Sequence, residues 1–179
     1  SHIWQQPKQN TTDTPPGRIV GEAHPLLQMR RRMNQRCREA GIEHNSVKVH
    51  FSRNLPDWFD DAGWRQVTDN FRQCAVFARD GGFSGVTLDI EYISKTYGLD
   101  YEAYQVPGYP RDRMRDQAAR RGFEILDAML GEYPSMVFWL LPEWAPTYET
   151  LAGDLFRGMV DALAAHDAPG GIHLCTENT

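Results

Sequence analysis

The chain has 179 residues, 41% of them hydrophobic, and a formal charge of −5. This composition suits one domain with a substantial core, and the negative charge argues against a general nucleic-acid-binding surface. No apolar run approaches the roughly 18 residues that cross a bilayer, and the polar segment 1–14 lacks the apolar region of a secretory signal. We therefore expect a soluble protein that binds neither nucleic acid nor a membrane, with no sequence signal for its compartment or oligomeric state.

Helical and extended patterns alternate after a polar, proline-containing start over residues 1–21. A helix is predicted from Pro25 to Gly41, and a strand follows over 47–52. Residues 53–63 carry aspartates, a proline and a tryptophan, which predicts a loop long enough to cover a functional site. Apolar residues at steps of three and four then predict a helix that begins near Trp64 and ends at Gly81 and Gly82.

The same order repeats in the second half. A strand over 84–92 is followed by a loop over 94–111 and by a helix that ends near Tyr133. The remaining elements are a strand over 136–141, a helix over 151–163 and a strand over 172–176.

This alternation predicts a parallel sheet with crossover helices, because each helix lies between two strands. We predict the α/β class, and within it a (β/α)₈ barrel of the TIM type, with residues 1–179 forming a single barrel-type domain. A full barrel takes about 250 residues, so we expect an incomplete barrel of about four β/α units, or a fragment of a larger domain. A flavodoxin-like open sheet is the alternative, and it is disfavoured because no glycine-rich phosphate loop follows a strand.

The strand over 84–92 carries the most informative pattern. Side chains alternate along a strand, so Val86 and Leu88 share one face, while Thr87, Asp89 and Glu91 share the other. If the apolar face meets the helices, the two acids point toward the barrel axis, where an unpaired carboxylate is costly unless it has a function. Two acids this close repel each other, which suits a general acid beside a charged helper.

Polar residues also end the other predicted strands. His50 lies on the polar face of the first strand, Glu143 follows the third, and His173 and Glu177 belong to the fourth. Active sites of barrel enzymes lie at the carboxyl ends of the strands. The predicted catalytic residues are Asp89, Glu91, Glu143 and Glu177.

The segment Gly82-Phe83-Ser84-Gly85-Val86-Thr87-Leu88-Asp89-Ile90-Glu91-Tyr92 resembles the fourth-strand signature D-G-x-D-x-D-x-E of glycoside hydrolase family 18, the chitinase and endo-N-acetylglucosaminidase group. The resemblance implies a barrel that hydrolyses glycosidic bonds, with Glu91 as the catalytic acid and Asp89 as the residue that orients the acetamido group of the substrate. Ser84 and Thr87 replace the first two acids of the signature.

The replacement of the inner acid by Thr87 removes the usual charged neighbour of Asp89, which disfavours substrate-assisted hydrolysis. The hypothesis is instead a retaining or inverting mechanism with Glu91 as one carboxylate and Glu143 or Glu177 as the other. Further substrate-binding residues are predicted among aromatic and imidazole side chains. They are Trp58, Tyr92 and Trp144 for sugar stacking, with His50 and His173. No cofactor and no metal are expected.

Two other functions remain open. A metal-dependent sugar isomerase or aldolase-type barrel could draw mixed nitrogen and oxygen ligands from six residues. These are His50, Asp89, Glu91, Glu143, His173 and Glu177. A non-catalytic barrel that binds glycans is the third hypothesis, because the loss of two acids from the signature fits a degraded enzyme.

Overall fold

The computed structural model describes residues 25–50, 55–89, 109–141 and 151–175, in which four helices and four strands alternate. The elements are α1 (Pro25–Glu39), β1 (Ser46–His50), α2 (Asp61–Asp80), β2 (Gly85–Asp89), α3 (Arg111–Glu132), β3 (Val137–Leu141), α4 (Leu151–Ala165) and β4 (Ile172–Leu174). None of these described helices combines the length and the apolar composition that crossing a bilayer requires. The predicted loop over 1–21 lies outside the described residues, as do residues 94–108 of the predicted loop over 94–111, whose last residue, Arg111, begins α3.

The four strands form one parallel sheet in the order β1-β2-β3-β4. The α/β class predicted from the alternation of elements is therefore confirmed. The strand order has no reversal, whereas a flavodoxin-like sheet reverses its order at its switch point. Within the described ranges the sheet has four strands, so closure into a barrel stays a prediction.

One face of the sheet lies against the helices and forms the core. Alternate residues on the three long strands are at most 4% exposed and join apolar side chains of α2, α3 and α4 in a single cluster. These strand residues are Val47, Val49, Val86, Leu88, Phe138 and Leu140. The helices cover this face because its side chains repeat with the two-residue period of a strand and give a continuous apolar surface.

Helix α2 begins earlier than the sequence pattern predicts. The carboxylate of Asp60 accepts hydrogen bonds from the backbone N–H groups of Ala62 and Gly63, both at 3.1 Å, and so caps the first turn. The predicted loop over 53–63 is therefore wrong at its end, because residues from Asp61 onward are helical. Residues 51–54 lie outside the described part of the chain.

Helices α3 and α4 approach each other through two glycines. A Cβ atom on Gly122 would overlap the carbonyl oxygen of Leu155, and one on Gly158 would overlap the carbonyl oxygen of Ala119. Larger residues cannot occupy either position without moving a helix backbone. The close contact fixes α4 beside α3 on the helical side of the sheet.

Helix α1 binds the end of α2 through polar side chains. The buried amide of Asn34 donates to the carbonyl of Gly81 at 2.8 Å, and the guanidinium of Arg38 donates to that of Gly82 at 2.9 Å. A cation is favourable there because helix carbonyls at a C-terminus carry partial negative charge. Part of the arginine-rich face of α1 thus has a structural role at the end of the sheet opposite the candidate site.

Candidate functional site

The second face of the sheet, here called the open face, carries the residues that alternate with the core positions. Strand register aligns Lys48, Thr87, Trp139 and His173 in one row across all four strands. Asp89 lies two residues further along β2, at the carboxyl end of the strand. This placement agrees with the alternation predicted for β2, in which Val86 and Leu88 face the helices.

Asp89 is a buried acid on the described part of the open face. It is 5% exposed, and its Oδ2 lies 2.6 Å from the Nζ atom of Lys48 on the neighbouring strand. The side chain of Lys48 is 41% exposed, so the pair joins a buried anion to a cation that reaches solvent. A buried carboxylate requires a partner of this kind, because removal of its hydration shell is costly.

The two residues that replace acids of the family 18 signature make local hydrogen bonds. The Ser84 hydroxyl donates to the backbone carbonyl of Glu43 at 2.6 Å, and the Thr87 and Ser46 hydroxyls share a hydrogen bond of 2.5 Å. The Thr87 contact joins β2 to β1, and the Ser84 contact joins the residue before β2 to the segment before β1. These side chains therefore hold strands together, which is a different task from that of the acids in the signature.

Most of the predicted catalytic and stacking residues fall outside the described ranges. They are Glu91, Tyr92, Glu143, Trp144 and Glu177, which follow β2, β3 and β4 in sequence. His50 ends β1 in register with Asp89. Its side chain lies outside the described part of the structure. The predicted convergence of four carboxylates is therefore an expectation, with Asp89 as its one described member.

Trp58 does not present a ring to solvent, in contrast to its predicted role in sugar stacking. Its side chain is 0% exposed, and its ring stacks on that of Trp64 with centroids 4.9 Å apart. Its backbone carbonyl accepts hydrogen bonds from Arg121 and Gln117. The residue belongs to the core because the segment before α2 turns inward and is held there by α3.

Trp139 is the aromatic residue of the open face that sequence reasoning missed. It is half-buried in the centre of β3, and its ring centroid lies 6.1 Å from that of His173, which is exposed. The five residues of β3 are all apolar, so no contrast in polarity separated Trp139 from its core neighbours Phe138 and Leu140. His173 shares the predicted face with Thr87 but lies two strands away from β2, about 10 Å across the sheet.

The described side chains do not bring three or more metal-binding groups together. The metal-dependent hypothesis therefore depends on residues beyond the described ranges, and the Oδ2 atom of Asp89 is already in contact with a cation. Burial raises the pKa of the Cys175 thiol, which keeps it protonated at neutral pH and unsuited to nucleophilic attack.

A separate charged groove of about 520 Å³ lies between α2 and α3. Most of its charged side chains are paired with one another. Buried Arg121 contacts Asp61 at 2.6 Å and Glu124 at 2.8 Å, and Arg72 contacts Asp69 at 2.8 Å. The hydrogen bond from Arg121 lowers the pKa of Asp61 below its ordinary value of 3.8, against the opposing effect of desolvation. The Arg121–Asp61 pair joins α3 to α2, whereas the other two pairs lie within a single helix, and all three have a structural role.

Comparisons with protein-family models, with curated proteins and with solved structures find no match to this chain. The residues of the open face and the motif that continues from β2 are therefore the features that point to a function.

Proposed function

We propose that the chain is a carbohydrate-active enzyme of the (β/α)₈-barrel type that hydrolyses glycosidic bonds at the carboxyl ends of its strands. The observation that carries the proposal is Asp89, a carboxylate 5% exposed at the carboxyl end of β2, on the face away from the helices. Parallel α/β sheets bind their ligands at this edge. A buried acid there, next to a second acid in the sequence, fits acid–base chemistry better than a purely structural role.

Glu91 donates a proton to the leaving oxygen in this proposal. Asp89 stabilises the positive charge that develops on the sugar ring in an oxocarbenium-like transition state, and Glu143 or Glu177 acts as nucleophile or base. A separation between the two catalytic carboxyl groups of about 5–5.5 Å gives retention of configuration, and one of about 6.5–9.5 Å gives inversion.

Aromatic and imidazole groups complete the proposed sugar site. Trp139 supports a sugar ring from the open face, because the hydrogen-bearing face of a pyranose packs well on an indole ring. Tyr92 and Trp144 supply further stacking surface, and His50 and His173 supply hydrogen bonds to hydroxyl groups.

The test is turnover of a panel of nitrophenyl glycosides, N-acetylglucosaminides included, by the full chain. Glu91→Gln should lower kcat by about 10³-fold on the unactivated oligosaccharide of the preferred sugar, whose leaving alcohol needs the proton that a nitrophenolate does not, while the melting temperature stays unchanged. Asp116→Asn is the matched control, since this α3 carboxylate is 83% exposed and lies away from the open face. Turnover by Glu91→Gln at the wild-type rate would refute the assignment.

A non-catalytic glycan-binding barrel is the second candidate, and one observation favours it. Ser84 and Thr87, which replace acids of the signature, are engaged in hydrogen bonds between backbone segments and strands. In this case calorimetry with oligosaccharides should show binding that Trp139→Ala weakens and Glu91→Gln leaves intact. Turnover of any glycoside that depends on Glu91 would exclude this candidate.

A further inference from the structure

Asp89 obtains its charged neighbour from the strand beside it. The inner position of its own strand holds Thr87, which is neutral, and the register pairs Thr87 with Lys48 of β1. From that position the four-carbon stem of Lys48 extends along the open face, and its Nζ atom reaches the Oδ2 atom of Asp89 at 2.6 Å. A cation thus stands beside the acid where the family signature has a second acid.

The exposures of the two groups determine what the contact does. The Asp89 side chain is 6% exposed, whereas that of Lys48 is 41% exposed. Lys48 therefore compensates part of the hydration that the carboxylate loses on burial, while its own side chain remains partly exposed. A contact of 2.6 Å also restricts the rotation of the carboxylate, since one oxygen is held by a charge-assisted hydrogen bond.

We propose that Lys48 is a positioning residue of the sugar site, which holds the Asp89 carboxylate correctly oriented toward the reacting ring. The inference rests on the proposed glycoside hydrolysis. Lys48 acts through Asp89, so its removal should impair the chemical step much more than substrate binding.

The experiment is a double-mutant cycle on the nitrophenyl glycoside that the wild-type chain hydrolyses fastest. Lys48→Met should lower kcat by about 100-fold with KM changed less than about threefold, because Asp89 loses the orientation in which it stabilises the transition state. The kcat of Lys48→Arg should be at least about tenfold higher than that of Lys48→Met and several-fold below that of wild type. A planar guanidinium keeps the charge of the ammonium group but not its geometry. Arg65→Met, at an exposed position of α2, is the control and should be without effect.

The cycle also separates a positioning role from an independent one. If Lys48 acts through Asp89, the double variant Lys48→Met/Asp89→Asn should be no slower than Asp89→Asn alone. Losses that multiply would overturn the inference, as would wild-type kcat in Lys48→Met. Should Lys48→Met fail to fold, Lys48→Arg decides: a several-fold lower kcat at unchanged melting temperature supports the inference, and wild-type kcat overturns it.

The two proposals fail in different ways. Absence of glycoside turnover in the wild-type chain would remove the proposed function, and the role of Lys48 with it. Turnover that depends on Glu91 but not on Lys48 would leave the proposed function in place and remove the inference about Lys48 alone.

Discussion

The two faces of the sheet use the same strands for different purposes. On the helical face, Val86, Leu88 and Phe138 are 0% exposed and lie among apolar side chains of three helices. On the open face, Lys48 and Asp89 form an ion pair between neighbouring strands. The helical face supplies most of the free energy of folding, because its apolar side chains are removed from water. The open face can therefore carry charged groups, which contribute less to stability.

The depth of Asp89 also depends on its strand. All five residues of β2 are buried, whereas β4 at the edge of the described sheet is half-buried to exposed. A central strand shields its side chains with neighbours on both sides. Asp89 therefore sits in a less hydrated setting than His173, although both lie on the open face.

The largest expected effect is a difference in stability between substitutions at two adjacent residues of β3, one on each face of the sheet. Phe138→Ala should cost about 4 kcal/mol of unfolding free energy, because a fully buried ring leaves a cavity in the core. Trp139→Ala, on the open face, should cost only about 2 kcal/mol, because its ring is half-buried and its removal leaves no enclosed cavity. Urea unfolding followed by circular dichroism measures both values. Equal losses of unfolding free energy in the two variants would contradict the conclusion that the helical face supplies most of the stability.

The next effect concerns the helical layer that covers the core. Gly122→Ala should cost about 3 kcal/mol, since its Cβ would overlap the backbone of Leu155 and force α4 away from α3. Gly131→Ala in the same helix is the matched control, because a Cβ there meets nothing within 4 Å. That change should stabilise the protein by about 0.5–1 kcal/mol through higher helix propensity. Thermal unfolding measures the stability of both variants. A melting temperature of Gly122→Ala at or above that of wild type would contradict this account.

The smallest effect is a pH dependence at the α2–α3 contact. Arg121 lowers the pKa of Asp61 below 3.8, so the contribution of this pair to stability is present above pH 3.8 and is lost as pH falls through the lowered pKa of the folded state. Asp61→Asn should therefore reduce the urea midpoint slightly at pH 7, and its difference from wild type should shrink below pH 3.8.

Asp116→Asn is the control for that series. Its carboxylate is 83% exposed and lies 3.7 Å from Arg157, so its loss should leave the urea midpoint unchanged at every pH. A difference between Asp61→Asn and wild type that grows toward low pH would contradict the assigned sign.

Periodicity in the sequence was sufficient to locate the described helices and strands. The helix that begins at Leu151 and the strand that ends at Leu141 occur where the pattern predicts them. The start of α2 was missed because its first turn is fixed by the Asp60 cap and is polar, so the apolar repeat begins only at Trp64. The site was harder to predict, since Trp58, which was expected to stack on sugar, is buried in the core, whereas Trp139 lies on the open face, and residue type does not distinguish the two.

The sequence by itself determined the α/β order and the side of β2 on which Asp89 lies, because alternation along a strand depends only on local backbone geometry. Only the tertiary structure decided which strands are neighbours and in what register. The pairing of Lys48 with Thr87 brings the ammonium group to Asp89 from a position 41 residues away in the chain. Contacts of that kind arise from the packing of helices on a shared apolar face, which no local pattern encodes.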